Sequence, residues 1–416
     1  MKIKGLTFEK VLAVLDFVTY WSIVAMPFAV ALSQGTANVC IGLFSISYLA
    51  KKALLREFPK MEKALAIPLL CLLAATLLSM TNTVSISASI RGITKLLNYF
   101  LLFFAVSESI RDRGHVAKIV VSACCGLGLI LMDIAWQLNT GRDFIRHQAM
   151  QVGMLDLARP TASFFGPNAL AIYMTALMPL VAGLGLFYCK GARKWIMLAF
   201  GGAVFLCILT TLSRGAVLGA YVAILILSII KKEKWLMLLL FGVVLMVPFF
   251  MPVNAKQWAK EAHYNPAVIL FNQDRLSIYQ NTVHMIRHHP LVGVGVNTFS
   301  SNYSRYKLEN VEKQAATKDT WYGHNNYLHM AGEIGLLGLA SFFWFLFQAF
   351  KLSIRNYRKL DDPYLKAVAL ALIACLAGFL INGLTESSLY YPKIAMVFWF
   401  LLGLSISFKK FQPQAH

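Results

Sequence analysis

The sequence predicts an all-α integral membrane protein: a single polytopic domain over residues 1–416 with about twelve transmembrane helices. Three observations predict it. Of the 416 residues 58% are apolar and only 14% charged, with a mean hydropathy of +0.62, where a soluble domain carries about 25% charged residues. The apolar residues gather into runs of about the length that crosses a bilayer. Every second connection between these runs is rich in Lys and Arg, the pattern that places such connections on the cytoplasmic side.

In chain order the runs lie near 11–32, 36–50, 64–80, 92–107, 116–137, 167–188, 195–211, 215–230, 235–251, 326–350, 364–384 and 393–408. The first is too long for a cleavable signal, and no small-residue cleavage site follows it, so it is expected to remain as a span. Lys2, Lys4 and Lys10 precede it. Lys51, Lys52 and Arg56, then Arg111 and Arg113, Lys190 and Arg193, Lys231 and Lys232, Arg355 and Arg358, and Lys409 and Lys410 follow alternate spans. Both termini are therefore expected in the cytoplasm. Most of the formal charge of +20 is accounted for as orientation signal, and it gives no reason to expect a nucleic-acid partner. Asp16 and Asp133 fall inside runs and are expected to hydrogen-bond between helices or face a wet cavity. The seven cysteines lie in or beside apolar runs, so neither a disulfide framework nor a cysteine zinc site is indicated.

Basic residues expected on the outer side work against the orientation rule and need another reason. Arg91, Lys95 and Arg214 are among them. Arg214, in T-T-L-S-R-G, sits in a hairpin with almost no loop. Its guanidinium either snorkels to lipid phosphate or serves as a planar fork for a bound phosphate. Upstream, R-P-T-A-S-F-F-G-P-N reads as a turn and a helix start, with Arg159 in the loop and Asn168 in the first helical turn, where free N–H groups favour an anion.

A large polar loop is expected at 252–325. Within it, D-R-L-S-I-Y-Q-N-T-V-H-M-I-R-H-H-P places Leu276, Tyr279, Val283 and Ile286 at helical spacing and stops at Pro290, predicting an amphipathic helix. L-V-G-V-G-V-N then predicts a glycine turn, and a second short helical stretch runs through Tyr303 and Tyr306. The phosphate-loop pattern is missing. His284 and His288 have zinc-compatible spacing, but without an evident third ligand a solvated helix face is the better reading. The loop closes on W-Y-G-H-N-N-Y-L. There His324 is either an interfacial hydrogen-bonding residue or a base that takes a proton from an attacking hydroxyl.

H-N-N-Y-L-H-M-A-G-E-I-G-L-L-G-L resembles the signature of the O-antigen ligase and polymerase superfamily. F-F-G-P-N, L-S-R-G and D-R…H-P-L-V-G-V-G-V-N-T-F fall in the order expected of that family; G-P-N departs from its usual N-P-N. The resemblance implies a GT-C-like membrane glycosyltransferase of the bacterial inner membrane, inverting, needing no metal or other cofactor, with its active site facing the periplasm. The implied donor is an undecaprenyl-pyrophosphate-linked glycan and the implied acceptor lipid A-core, amid membrane lipids. By position it makes His324 catalytic and Arg214 and Arg275 the pair that grips pyrophosphate. Arg159, Asn168, Asn325 and Glu386 become further substrate contacts. O-antigen ligase is the expected activity. A polymerase joining lipid-linked repeat units would use the same site, and a transporter of an anionic solute is a third reading, against which stands the absence of paired interrupted runs.

Overall fold

The computed structural model describes residues 8–58, 62–152, 157–250, 271–309 and 320–413, with Lys260 and Asn265. Helices α1 (Phe8–Leu32), α2 (Gln34–Leu55), α3 (Lys63–Leu78), α4 (Ile86–Ser109) and α5 (Arg113–Thr140) come first. A two-residue antiparallel ribbon, β1 (Gln151–Val152) with β2 (Ala158–Arg159), precedes α6 (Pro167–Phe187), α7 (Gly191–Thr210), α8 (Arg214–Lys231) and α9 (Lys234–Phe250). The chain continues through α10 (Gln273–His288) and α11 (Phe299–Tyr303) to α12 (Asn326–Lys359), α13 (Pro363–Asn382) and α14 (Pro392–Ser407). Ser33, Ser85, Asp112 and Asp362 cap their helices by accepting a backbone N–H, and Pro167, Pro363 and Pro392 start theirs, where a missing N–H costs nothing.

Among the described residues, eleven helices are long and apolar enough to cross a membrane. The expected run at 235–251 coincides with α9, which is described as far as Phe250. Two expectations needed correction. The run expected at 36–50 is a helix of 22 residues, and that at 326–350 one of 34. Apolarity ends where charge begins, whereas a helix ends where its backbone is capped, so Lys51, Lys52, Arg355 and Arg358 continue helices that hydropathy alone cuts short.

Helices α6, α13 and α14 are buried along most of their length and form the centre of the bundle. Where α8 crosses α13 the backbones meet: a Cβ on Gly219 would lie 2.4 Å from the Gly378 carbonyl oxygen, the small-residue contact that lets membrane helices approach closely. The basic connections gather at one end, tied by ion pairs such as Lys52–Glu108 (2.6 Å) and Arg113–Asp362 (3.1 Å). The remaining connections gather at the other, and Asn82 of one donates to the Gly293 carbonyl of another at 2.9 Å.

The glycine turn and α12 are built for each other. Helix α12 breaks at Gly335 (φ 71°, ψ −178°), and the freed N–H groups of Leu336 and Leu337 donate to the carbonyls of Pro290 (2.8 Å) and Leu291 (3.3 Å). In return, Val294 and Gly295 donate to the carbonyls of Gly332 and Glu333, both at 2.9 Å. A Cβ on Gly335 would sit 2.0 Å from the Leu291 oxygen, and one on Gly293 (φ 70°) 2.5 Å from Glu333 backbone. P-L-V-G-V-G-V and E-I-G are thus two halves of one backbone contact.

Helix α10 corrects another expectation. Its buried face carries Ser277, Ile278, Asn281, Thr282 and Met285, while Leu276, Tyr279, Val283 and Ile286 are half-buried. The polar residues turn inward because partners wait there: Asn281 donates to the Tyr303 hydroxyl at 2.9 Å and accepts from Leu308 N at 3.0 Å.

Candidate active site

The site forms at the end away from the basic connections, around the carboxylate of Glu386, which is 1% exposed. Glu386 lies in G-L-T-E-S-S-L-Y-Y-P, which joins α13 to α14. Its Oε1 accepts from Arg275 of α10 and from Asn168 Nδ2 (2.5 Å) of α6. Its Oε2 meets His324 Nδ1 at 3.3 Å and accepts from the Tyr391 hydroxyl at 3.1 Å. Arg159, on β2, donates from Nη2 to Asn168 Oδ1 and from Nε to the Thr211 carbonyl, each at 2.6 Å. Arg214 opens α8 three residues beyond Thr211. Arg159, Arg214 and Arg275 are close enough to act on one another electrostatically. Residues distant in sequence thereby converge on one buried anion.

The electrostatics follow from that arrangement. Burial alone would push the Glu386 carboxyl up, but the adjacent Arg275 guanidinium, with His324 and Tyr391, brings it from an ordinary 4.5 down to about 2. It is a carboxylate at any physiological pH. Burial also works against the charge on Arg275, and Glu386 and the nearby tyrosines Tyr279 and Tyr391 outweigh it, raising its pKa. Arg159 is shifted the other way, lowered by burial and by the Arg275 charge, with Glu386 compensating only in part. Burial and then the Glu386 charge raise the Tyr391 phenol, which stays a proton donor.

The polar residues His324, Asn325, Asn326 and His329 of H-N-N-Y-L-H have separate tasks. His324 holds φ 46°, a left-handed conformation that a non-glycine residue adopts at a cost of order 1–3 kcal/mol. Its side chain remains 28% exposed, and its carbonyl accepts from the Tyr279 hydroxyl at 2.8 Å. Asn325 caps α12: its Oδ1 accepts from Tyr327 N (2.9 Å) and Leu328 N (3.0 Å), and its Nδ2 donates to the Leu384 carbonyl (2.9 Å). Those bonds account for Asn325 without a substrate. Asn326 ties the helix start to the Glu386 loop, donating to Ser388 Oγ (2.8 Å) and accepting from Leu389 N (3.0 Å). His329 lies between Phe299 and Tyr390, ring centroids 4.4 and 3.6 Å away, and accepts from Gly323 N at 3.1 Å.

The structure therefore brings Arg159, Asn168, Arg214, Arg275, His324 and Glu386 together. Sequence reasoning missed Tyr391 and the Thr385 contact. A Cβ on Gly215 would lie 1.6 Å from Thr385 Oγ1, so the glycine of L-S-R-G is what lets α8 seat Arg214 beside the Glu386 loop. Tyr279, read from sequence only as part of an apolar stripe, braces the His324 backbone. The doubled tyrosine before Pro392 was the one readable signal for Tyr391. His284 and His288 turn their Nδ1 atoms toward backbone oxygens, at 3.1 Å from Tyr306 O and 2.9 Å from His284 O. Asp133 lies at the site end of α5 and accepts from Phe144 N (2.9 Å), holding the loop that leads to Arg159. Asp16 lies at the opposite end, paired with Lys51.

A multi-pass helical membrane protein with several arginines and a histidine gathered at one end of the bundle is the class that fold and site define. Residues 198–343, about a third of the chain, match the family model for O-antigen ligase, a match that supports membership of the O-antigen ligase and polymerase superfamily. The matched segment carries Arg214, Arg275 and His324; Arg159, Asn168 and Glu386 come from outside it. None of the curated proteins matches the chain.

Proposed function

We propose that the protein is an O-antigen ligase. It transfers a glycan from undecaprenyl pyrophosphate to a sugar hydroxyl of lipid A-core, in the bacterial inner membrane, with both termini cytoplasmic and the site facing the periplasm. The observation that carries this reading is the shared carboxylate: Arg275 and His324, a phosphate-binding type and a base type, are both fixed to Glu386. With Nδ1–H directed to Glu386, His324 presents the lone pair of Nε2, which takes the proton of the acceptor hydroxyl as its oxygen attacks the anomeric carbon. The anomeric C–O bond to phosphate breaks on the opposite face, inverting that carbon. Arg214 and Arg275 stabilise the negative charge that collects on the departing pyrophosphate. Glu386 positions and Arg159 adds to the positive field. Nothing in these steps calls on a metal or a nucleotide.

The test is transfer by purified protein from an undecaprenyl-pyrophosphate glycan to lipid A-core or to a second lipid-linked glycan. His324→Ala should lower transfer about 10²–10⁴-fold, the range for loss of a general base. Product on lipid A-core supports the ligase. Growth on the second glycan makes it a polymerase with the same site, and transfer to neither acceptor refutes both.

A further inference from the structure

A second cavity of about 420 Å³ lies on the α3–α4 side of the His324 segment. Its floor is apolar, with Leu72, Ile334, Phe342 and Trp399; Tyr322 and Tyr390 stand in its wall, and Trp321, 77% exposed, is at the lining surface. Glu333 also lines it. That carboxylate is 2% exposed: its Oε1 accepts from Phe299 N at 3.0 Å, while its Oε2 has no hydrogen-bond partner among the described residues. A buried carboxylate oxygen without a donor is costly, and a ligand hydroxyl would satisfy it. Arg91 and Lys95, one helical turn apart on α4, add exposed positive charge to the same lining. Lys95 is steadied by Asn297 Oδ1 at 3.4 Å. Arg91 and Lys95 are two of the outer-side basic residues for which the reaction at Glu386 has no use.

The cavity adjoins the site. Tyr322 is two residues before His324, and its ring centroid lies 4.9 Å from that of Tyr391, whose hydroxyl donates to Glu386. Aromatic faces suit the apolar face of a sugar ring, a carboxylate suits its hydroxyls, and two cations suit an anionic substituent.

We propose that this cavity is a saccharide subsite for the acceptor, with Glu333 accepting a sugar hydroxyl, Tyr322 and Tyr390 packing on the ring, and Arg91 and Lys95 engaging a phosphate or carboxylate on the same glycan. The assignment of the ligand as acceptor rests on the glycosyl-transfer reading above. An acyl chain is not required for recognition, which separates this ligand from an anionic phospholipid.

The experiment is binding of a phosphorylated core oligosaccharide freed of its lipid to the full-length protein in detergent, read by tryptophan fluorescence, with phosphatidylglycerol as competitor and transfer assayed in parallel. Arg91→Ala with Lys95→Ala, and separately Glu333→Gln, should each weaken binding about tenfold or more, as loss of a hydrogen bond to a charged group does, while His324→Ala binds like wild type and fails to transfer. The α4 pair is exposed, so its substitution keeps the test decisive if Glu333→Gln does not fold. Unchanged affinity in the α4 variant, no binding at all, or displacement by phosphatidylglycerol alone overturns the subsite. Binding with the expected losses but without any transfer upholds the cavity as a saccharide site and removes the reaction; transfer with unaffected variants does the reverse.

Discussion

The two ends of the bundle handle charge in opposite ways. At the basic end several carboxylates meet cations in the open: Asp16 pairs with Lys51 (2.6 Å) and Arg111 (3.3 Å), and Glu62 with Lys409 (2.5 Å) and Arg355 (3.3 Å), with side chains 26–55% exposed. At the other end three arginines and a histidine surround one carboxylate, that of Glu386, which is 1% exposed. Exposed, balanced pairs contribute little to stability. Surplus positive charge in a poorly solvated place repels itself, and a bound anion relieves that repulsion. In the function proposed above that anion is the pyrophosphate, and the difference separates balanced surface charge from charge held for a substrate.

Four experiments break or sharpen that contrast, the largest effect first. Arg275→Ala strands Glu386 without its cation, and breaking a buried pair costs about 3–5 kcal/mol. Thermal unfolding in detergent should drop accordingly and transfer should vanish; a fully stable variant would mean that Arg275 is not the partner that matters.

Gly215→Ala drives a methyl group into Thr385 Oγ1, and overpacking of this kind costs about 1–3 kcal/mol. Transfer falls with it. Adding Thr385→Ala removes the 1.6 Å clash but leaves the 2.8 Å approach to Cβ, so activity should return in part. No recovery would place the defect elsewhere than at this contact.

The third experiment uses acid. A carboxyl lowered from 4.5 to about 2 contributes stability that is fully present above its unfolded value and is lost as pH falls through its folded one. Wild type should therefore exceed Glu386→Gln in melting temperature at pH 7, with the gap narrowing below pH 4.5 toward pH 2. A gap independent of pH would show that the ionised form of Glu386 is not what stabilises the site. Smallest is Lys51→Ala, at a pair whose side chains are both 33% exposed: unfolding should move by no more than about 1 kcal/mol and transfer should stay unchanged. A large loss there would abolish the distinction between the two ends.

How much of this was legible depends on whether a signal is local. His324 and Arg214 stand in short motifs whose residue types already suggest proton transfer and phosphate binding, and Arg275 entered through the family resemblance. Asn325 was legible as part of H-N-N but not as a helix cap, because an asparagine before a helix reads equally well as a ligand. Arg159 and Asn168 were noticed singly. That they form a relay to Glu386 depends on β2, α6 and the α13–α14 connection meeting, and no sequence spacing encodes that meeting. Glu333 was visible only as one letter of E-I-G; that its Oε2 finds no hydrogen-bond partner among the described residues is a property of the fold.

By itself the sequence determined what the bilayer enforces: spans that are apolar because lipid offers no hydrogen bonds, and every second connection basic, so that the basic ones fall at one end. It also determined which residue types are available near the ends of the spans. Only the tertiary structure decided which of them share a carboxylate, which glycines are needed because another backbone lies within 2.5 Å, and which helix face turns inward. Those outcomes rest on packing and hydrogen bonds between segments far apart in the chain, such as Asn168 and Glu386, 218 residues apart, and a pattern of nearest neighbours carries no record of them.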